Sequence, residues 1–468
     1  MAGGWRIKGV DASRELGERR LAPTLSWPHL VALGVGAIVG TGIYTLTGVG
    51  AGLAGPAVIL SFAIAGAVCV CAALAYAEMA TTIPAAGSAY TYSYAVLGEA
   101  PAWIVGWSLI LEYTVVCSVV AVGWSGHFAE FLTAVGAPVP AALLSGPETP
   151  GGIVNLPAVV ITLLVGALLT AGTKESATIN AVLVGVKVLA LAVFVAIALP
   201  RFDASHFTPF MPNGFAAHEA GGTKVGVMAA AAIIFFAFYG FDAISTAGEE
   251  AKNPGRDLSV GIIGSMLACV VIYMAVAAAA IGASPVSAFA KDAAPLVFIM
   301  NQLNQPTVAK VVAGAAVVAL PTVILAFMYG QSRIFFAMAR DRMLPEGLAK
   351  VSGRGAPLAV TVLTAVIAAV IAGLLPLSDI AALANSGTLC AFIAVCLCML
   401  VLRRREPGRP RVFRAPLAWG VGPLGILGCL YLFTSLPAKT IVLFFVWNAL
   451  GLAVYFGYAR RRSRLAAA

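Results

Sequence analysis

The sequence has little charge: Asp, Glu, Lys and Arg together make up 10% of its 468 residues. A soluble globular domain contains about 25% of these residues, so the composition argues against a soluble protein. Hydrophobic residues make up 60% of the chain, and the mean hydropathy is +0.96. These values are typical of a membrane protein with many spans, and such a multi-span bundle must be helical in lipid.

The sequence also lacks the patterns that accompany catalysis or metal binding. It contains no G-x-S-x-G or H-E-x-x-H motif, and no obvious pair of acids at one depth that could act together. Its eight cysteines lie in apolar segments without a paired C-x-x-C framework. We therefore expect no enzyme activity, no bound metal and no cofactor, and we interpret the cysteines as small buried hydrophobic residues.

Twelve apolar stretches are long enough to cross a bilayer, which requires about twenty residues. We number them spans 1 to 12; they lie near residues 27–53, 55–82, 101–132, 153–172, 177–199, 227–249, 258–283, 308–338, 357–375, 381–402, 418–436 and 439–459. The polar segment before span 1 lacks the apolar core of a cleaved signal peptide, and we predict that it is a soluble arm. The pattern predicts an all-α membrane protein without a separate soluble domain.

Positive charge is distributed unevenly between the predicted loops. Most of the 29 Lys and Arg residues lie on the side that holds both termini. The opposite side has Arg201, Lys224, Lys291, Lys310 and Lys439. By the positive-inside rule, both termini are expected in the cytoplasm. The high pI of 9.2 then reflects topology, and we expect no nucleic-acid partner.

Two spans contain patterns that predict a break in the helix. Span 1 includes GVGAIVGTGIY at residues 34–44, and span 6 includes FFAFYGFDAIS at residues 235–245. Glycine lets the backbone unwind without a Cβ clash. Interrupted helices at matching positions of two halves point to a transporter site, where freed backbone groups bind a zwitterion. The alternative is close helix packing through Gly36 and Gly40, which have small-xxx-small spacing.

Four segments together resemble a known superfamily: GAIVGTGIYTLTG in span 1, TKESATINAVLVGVKV entering span 5, FFAFYGFDAISTAGEEAKNPGRDL in span 6, and YGQSRIFFAMARDRMLP ending span 8. They resemble the amino acid–polyamine–organocation superfamily, in particular bacterial members of its cationic amino acid transporter branch. The resemblance implies a LeuT-type bundle of two inverted five-helix repeats with two added helices. The expected divisions are a cytoplasmic arm at 1–26, repeats at 27–199 and 227–402, the added helices at 418–459 and a cytoplasmic tail at 460–468.

The resemblance also implies an amino acid bound between spans 1, 3, 6 and 8. The backbone expected to hold the α-carboxylate surrounds Ile38, Gly40, Thr41 and Gly42. The backbone expected to hold the α-amine surrounds Phe236, Ala237 and Tyr239. Phe236 also resembles the aromatic residue that closes over the substrate on the external side.

Span 5 contains one lysine, Lys187, about ten residues from either end. A lysine at the centre of a spanning helix costs about 2.5–3.5 kcal/mol, which suggests a function. Burial disfavours its charged form and carbonyls freed by the span 1 break favour it, so its protonation can follow its surroundings. The resemblance implies that Lys187 takes the place of a coupling sodium ion and binds the coupling proton. The alternative is a lysine that snorkels to the interface.

Three acids and one threonine within the spans are further candidates. Glu112 in span 3 could relay protons to Lys187, line the pocket or tie two helices together. Asp242 follows the span 6 break and could lie on the proton path or hold the break. Glu78 is interpreted as a gate or structural contact. Thr322 in span 8 could face the pocket, although helix packing is the default.

These features predict a secondary transporter in the bacterial plasma membrane. We expect proton-coupled symport of small neutral L-amino acids, such as alanine. Uptake of arginine or lysine and amino acid exchange remain alternatives on the same fold. No motif identifies a protein partner, so the expected partners are the amino acid, the proton and the lipid bilayer.

Overall fold

The computed structural model describes residues 6–11, 21–44, 46–134, 137, 139–147, 150–220, 223–238, 240–290, 292, 294–352, 357–375, 377–434, 436 and 438–467. Two short strands in this part, β1 (His218–Ala220) and β2 (Thr223–Val225), form an antiparallel hairpin in which His218 lies opposite Val225. The remaining regular structure of the described residues is helical.

The described part of the chain contains eight helices that are long and apolar enough to cross a membrane. Four shorter apolar helices have 12 to 17 residues. These findings confirm the predicted class of helical membrane protein. The arrangement of twelve spans as two inverted repeats of five, with two added helices, stays a prediction.

Most predicted spans correspond to unbroken helices. Spans 2, 3, 4, 5, 7, 8, 9, 10 and 11 are Val58–Thr82, Glu99–Ala134, Leu156–Ala171, Thr173–Ala198, Pro254–Ala283, Pro306–Arg340, Leu358–Leu374, Leu377–Arg405 and Ala418–Thr434. Span 12 is Ala438–Val454, a π turn at Tyr455–Ala459, and short helices at Arg460–Arg462 and Arg464–Ala467. The connecting helices are Ala89–Val96, Val286–Phe289 and Pro295–Gln302, with 3₁₀ turns at Gly55–Ala57, Ala141–Leu143, Leu199–Arg201, Ala204–Phe207 and Glu346–Ala349.

Local sequence signals mark where several of these helices begin. Pro254 and Pro306 occupy the first turn of spans 7 and 8, where the missing N–H is not needed and the fixed φ suits the helix. Before span 4, the Asn155 side chain accepts a hydrogen bond of 3.2 Å from the Ala158 N–H, which satisfies one unpaired donor at the helix start.

Spans 1 and 6 are both interrupted. Their pieces are Trp27–Ile38, Thr41–Tyr44 and Leu46–Ala54 for span 1, and Val227–Ile234, a 3₁₀ turn at Phe235–Ala237 and Asp242–Ser245 for span 6. Gly240 has a φ of +118°, in the left-handed region where a side chain is disfavoured. At Gly42 an added Cβ would lie 2.4 Å from the Ala237 Cβ. The two breaks therefore touch, and the contact requires glycine in span 1.

The outward faces of several spans expose large apolar side chains. Examples are Val182 and Leu189 of span 5, Val271 of span 7, Leu427 of span 11 and Phe445 of span 12. Apolar patches of this extent are rare on soluble monomers, whereas lipid tails solvate them. In the interior, span 3 packs against spans 8 and 10, and span 8 also packs against the pieces of the interrupted spans 1 and 6.

The first and last described segments of the chain, residues 6–11 and 460–467, meet at one end of the bundle. We call it the basic end; it includes Arg333, Arg340, Arg403 and Arg460–Arg462. The N-terminal segment is attached there by Lys8, whose Nζ lies 2.7 Å from Asp341 Oδ1. The other terminus reaches the same place, since the Arg464 N–H donates to the Asp341 carbonyl at 3.2 Å.

Candidate functional site

The two helix breaks border a small cavity at the centre of the bundle. Its lining comes from spans 1, 3, 6 and 8: Ala37, Ile38, Gly40, Gly42, Val116, Val120, Phe236, Val323 and Phe327. The cavity measures about 10 Å³, which is close to the smallest space that holds one water molecule. An amino acid therefore enters only if lining side chains such as Phe236 move apart.

The predicted substrate residues lie close together where they are described. Ile38, Gly40, Gly42 and Phe236 line the cavity, and the Ala237 Cβ lies against Gly42. Thr41 begins the helical turn Thr41–Tyr44, and its side chain is outside the described part. Tyr239 falls outside the described residues.

Tyr273 of span 7 connects the two breaks. Its hydroxyl oxygen lies 2.6 Å from the Ile38 carbonyl oxygen and 2.9 Å from the Ala237 carbonyl oxygen. The side chain is fully buried. Carbonyl groups at a helix end have no partner within the helix, and leaving one unpaired in the membrane costs several kcal/mol. The two freed carbonyls, one from each span, therefore share the single hydroxyl proton of Tyr273.

Lys187 connects span 5 to the break in span 1. Its Nζ lies 2.8 Å from the Gly36 carbonyl oxygen and 2.6 Å from the Val39 carbonyl oxygen. Thr322 Oγ1 of span 8 lies 2.8 Å from the same nitrogen. The three N–H donors of an ammonium group thus have three acceptors, and the side chain is fully buried.

All of these acceptors are uncharged oxygens, and within the described part of the chain Lys187 takes part in no ion pair. Thr322 also donates to the Gly36 carbonyl oxygen at 3.2 Å. Lys187, Thr322 and the end of the first helical piece therefore form one hydrogen-bonded unit across spans 1, 5 and 8.

The two membrane acids lie in a separate polar cluster. The carboxylate of Glu112 accepts a hydrogen bond from Thr388 of span 10, while its second oxygen is buried without a partner. Asp242 accepts from the Tyr113 hydroxyl and from the Gly240 N–H, the latter at 3.1 Å. Glu112 and Asp242 interact with each other electrostatically, and neither is hydrogen bonded to Lys187 among the described contacts.

Two buried arginine–carboxylate pairs close the bundle at the basic end. Arg333 of span 8 binds Glu250 through two hydrogen bonds of 2.9 Å. Arg340 binds Glu249 through two bonds of 2.9 and 2.7 Å. Both acids follow span 6, so the pairs tie span 8 to the segment that leaves the break. Bidentate pairs of this kind are the strongest side-chain hydrogen bonds.

Glu78, interpreted from the sequence as a gate or structural contact, also lies at this end. Its carboxylate is 2.5 Å from the Arg403 guanidinium and accepts from the Ala415 N–H at 2.8 Å. The contact joins span 2 to span 10 and to the segment before span 11.

Several functional contacts were not anticipated from the sequence. Tyr273 stands alone in an apolar run, whereas Tyr113 and Thr388 have polar neighbours in the sequence. In neither setting does a hydroxyl indicate its partner on a distant span. Arg333 and Glu250 gave no pairing signal either, because they lie far apart in the chain. For Thr322 the sequence allows a position facing the pocket, with helix packing as the default, and it gives no sign of the contact with Lys187.

Comparison with known proteins assigns the chain to a family. The family described as amino acid permease matches residues 25–457. A branched-chain amino acid permease, BcaP, of Bacillus subtilis is 43% identical over 453 residues, which cover 96% of each chain. A methylthioribose transporter of the same organism is 41% identical over 450 residues, covering 96% of this chain and 95% of the relative.

A vacuolar cationic amino acid transporter of Arabidopsis thaliana, transporter 4, is 35% identical over 408 residues, covering 86% of this chain and 67% of the relative. The predicted resemblance is thus confirmed, with bacterial permeases more similar than this plant transporter. These relatives and the family are named as transporters, which confirms that the protein is not an enzyme. The chain belongs to the amino acid permease family.

Proposed function

We propose that the protein imports neutral amino acids across the bacterial plasma membrane, driven by the proton gradient, with both termini in the cytoplasm. The observation on which this rests is the buried Lys187 ammonium, held by two span 1 carbonyls and Thr322 at the edge of the cavity. Interrupted transporter helices coordinate coupling cations through such carbonyls, and here a side-chain cation occupies that position.

The contact gives protonation a direct effect on span 1. The charged amine donates three hydrogen bonds, whereas the neutral amine has two N–H groups and no charge. Loss of the proton therefore weakens the link between span 5 and the first piece of span 1. A bound proton can shift the conformational equilibrium only by this kind of difference in affinity between two states.

The lining of the cavity favours a substrate with an uncharged, aliphatic side chain. Apart from backbone groups of the break, it presents valine and phenylalanine side chains, namely Val116, Val120, Phe236, Val323 and Phe327. A cationic side chain would need a carboxylate to offset its burial. Glu112 is the candidate for that role, and it is bonded to Thr388 outside the lining.

Alanine and the branched-chain amino acids both fit this chemistry. The name of the 43% identical relative supports the branched-chain substrates. The name of the 41% identical relative suggests methylthioribose instead. The hydroxyl groups of a sugar need hydrogen-bonding partners in the pocket, so the apolar lining favours an aliphatic amino acid over methylthioribose.

Transport toward the basic end requires the arginine pairs to separate. Arg333–Glu250 and Arg340–Glu249 are buried and join span 8 to the segment after span 6. We propose that they form the cytoplasmic gate, closed in this conformation, and that they open after substrate and proton have bound.

The test is uptake into proteoliposomes of the purified protein without internal amino acid. Radiolabelled leucine, valine, alanine, arginine and methylthioribose are supplied outside, with and without an inward proton gradient. We expect the three neutral amino acids to accumulate only with the gradient. Uptake that requires internal amino acid and ignores the gradient would mean exchange. Accumulation of arginine or methylthioribose in their place would refute the substrate assignment.

A further inference from the structure

A second, larger cavity lies at the basic end, between the loop that follows span 8 and the end of span 12. It measures about 440 Å³. The lining residues that determine its chemistry are Arg342, Glu346, Tyr458, Arg461 and Arg462. None of the predicted or described transport residues lines it, so its role is separate from the central site.

The lining is positively charged. Arg342 is balanced, since its Nε lies 2.9 Å from Glu346 Oε1. Within the described residues, Arg461 and Arg462 form no ion pair. The Arg462 guanidinium lies 4.8 Å from the centre of the Tyr458 ring and 3.4 Å from its hydroxyl oxygen. This contact orients the guanidinium without neutralising it, so two arginine charges remain available to a ligand.

The segment that presents these arginines is fixed to the rest of the protein. Ser463 Oγ donates to Glu99 Oε2 at 2.7 Å, and the Arg464 N–H donates to the Asp341 carbonyl. Ser463 is fully buried. The backbone that carries Arg461 and Arg462 is therefore held in place before a ligand arrives, which reduces the entropy lost on binding.

The position along span 12 indicates which ligand reaches the cavity. Leu450, Val454 and Phe456 expose large apolar surfaces on this helix, and the arginines begin four residues after Phe456. The change from an apolar to a basic surface marks the boundary between acyl chains and headgroups. Basic pockets beside membrane helices at this level bind anionic headgroups.

We propose that this cavity binds the phosphate group of an anionic phospholipid. The guanidinium groups of Arg461 and Arg462 hold the phosphate oxygens, which match the fork of N–H donors in arginine. The Tyr458 hydroxyl lies in the same lining and offers a further hydrogen bond. The acyl chains lie along the apolar face formed by Leu450 and Val454, which precede the lining residue Tyr458 at helical i, i+4 spacing. This site does not depend on which substrate is transported or on how transport is driven.

The experiment uses the purified full-length protein in neutral detergent and short-chain lipids. Binding of phosphatidylglycerol, of phosphatidylcholine and of inorganic phosphate is titrated by native mass spectrometry and by thermal shift. The test variant is R461Q/R462Q. The matched control is R404Q/R460Q, which removes the same charge from exposed arginines outside the cavity lining.

We expect the wild type to bind phosphatidylglycerol roughly tenfold or more tightly than phosphatidylcholine, because each arginine near the surface contributes about 1 kcal/mol. R461Q/R462Q should lose most of this preference, and R404Q/R460Q should stay within about twofold of wild type, because its arginines lie outside the cavity lining. Size-exclusion chromatography checks folding. If the double variant does not fold, the single variant R461Q is expected to lose a few-fold in affinity.

Three outcomes would overturn the proposal. An equal loss in both double variants would mean general attraction to a basic surface. Equal affinity for the two lipids would exclude an anionic site. Displacement of phosphatidylglycerol by inorganic phosphate at the same concentration would mean that a free phosphate-bearing solute is the ligand and that the acyl chains contribute nothing.

Discussion

Lys187 and Arg333 are both buried cations, and the contrast between their partners separates two functions. Lys187 is surrounded by neutral oxygens: two backbone carbonyls and one hydroxyl. Arg333 faces a carboxylate, Glu250, through two hydrogen bonds, and its guanidinium lies 3.7 Å from the centre of the Tyr329 ring. Both side chains are almost completely buried, so the difference lies in chemistry and not in depth.

The difference between these partners indicates which of the two cations can exchange a proton. Arginine stays charged in proteins, while a buried lysine can become neutral. If Lys187 loses its proton, no unpaired carboxylate is left behind, because all of its partners are neutral. Separation of Arg333 from Glu250 leaves the arginine charged. The first arrangement suits coupling to a proton, and the second suits a gate that opens and closes.

The largest effect on stability is expected from Arg333→Gln. The substitution leaves Glu250 buried with the Tyr329 hydroxyl as a neutral partner, and breaking a buried pair from one side costs about 3–5 kcal/mol. The apparent melting temperature in detergent should fall strongly. The double variant Arg333→Gln with Glu250→Gln should recover much of the loss. Equal destabilisation of the single and double variants would show that charge pairing is not the cause.

A smaller loss is expected from Lys187→Met, which keeps a side chain of similar length. It leaves the Gly36 and Val39 carbonyls and Thr322 without the ammonium, and unsatisfied neutral groups cost about 1–3 kcal/mol. No charge is left behind. Measuring the thermal unfolding of both variants, Lys187→Met and Arg333→Gln, checks which of them loses more stability. If Lys187→Met is the more damaging change, the lysine is a structural brace and the contrast fails.

Removing one of the three hydrogen-bond acceptors of Lys187 should lower the stability by still less. Thr322→Val keeps the shape of the side chain and removes the oxygen that lies 2.8 Å from Lys187, at a cost of about 1 kcal/mol. Gradient-driven uptake should fall several-fold. Thr322→Ser retains the hydroxyl and is expected to behave as wild type. Normal uptake in Thr322→Val together with reduced uptake in Thr322→Ser would point to the methyl group and not to the hydrogen bond.

The smallest effect is expected at the exposed pair Arg342–Glu346. Its side chains are each 47% exposed, and such pairs contribute about 0–1 kcal/mol. Arg342→Gln should leave the melting temperature almost unchanged, and added salt should remove any remaining difference from wild type. A fall in melting temperature as large as that of Arg333→Gln would mean that burial does not explain the difference in stability between the two ion pairs.

The sequence predicts the helix breaks well, because their signals are local. Glycines recur at residues 34–44, and the structure has a break at Val39–Gly40. Gly240 adopts a positive φ in the second break. A lysine in an apolar span also indicates a buried function by itself. The inverted-repeat layout and the roles of the site residues stay predictions.

The partners of the buried polar groups could not be predicted, because they depend on how distant spans pack. Tyr273 lies within hydrogen-bond distance of Ile38 and Ala237, and nothing in the run VVIYMAV indicates either carbonyl. For Glu112 the sequence left three roles open, a proton relay to Lys187, a pocket residue or a tie between helices, and it did not indicate Thr388 of span 10 as the partner. One residue of rotation in either helix would change such a contact without changing the hydrophobic pattern.

The most direct test of the account compares wild type and Lys187→Ala in proteoliposomes. Leucine accumulation is driven by an inward proton gradient without internal substrate, and leucine exchange is measured in parallel with internal leucine. The account predicts that the variant loses gradient-driven accumulation and retains exchange. Accumulation by the variant in response to the gradient would contradict the assignment of Lys187 as the proton-coupling residue.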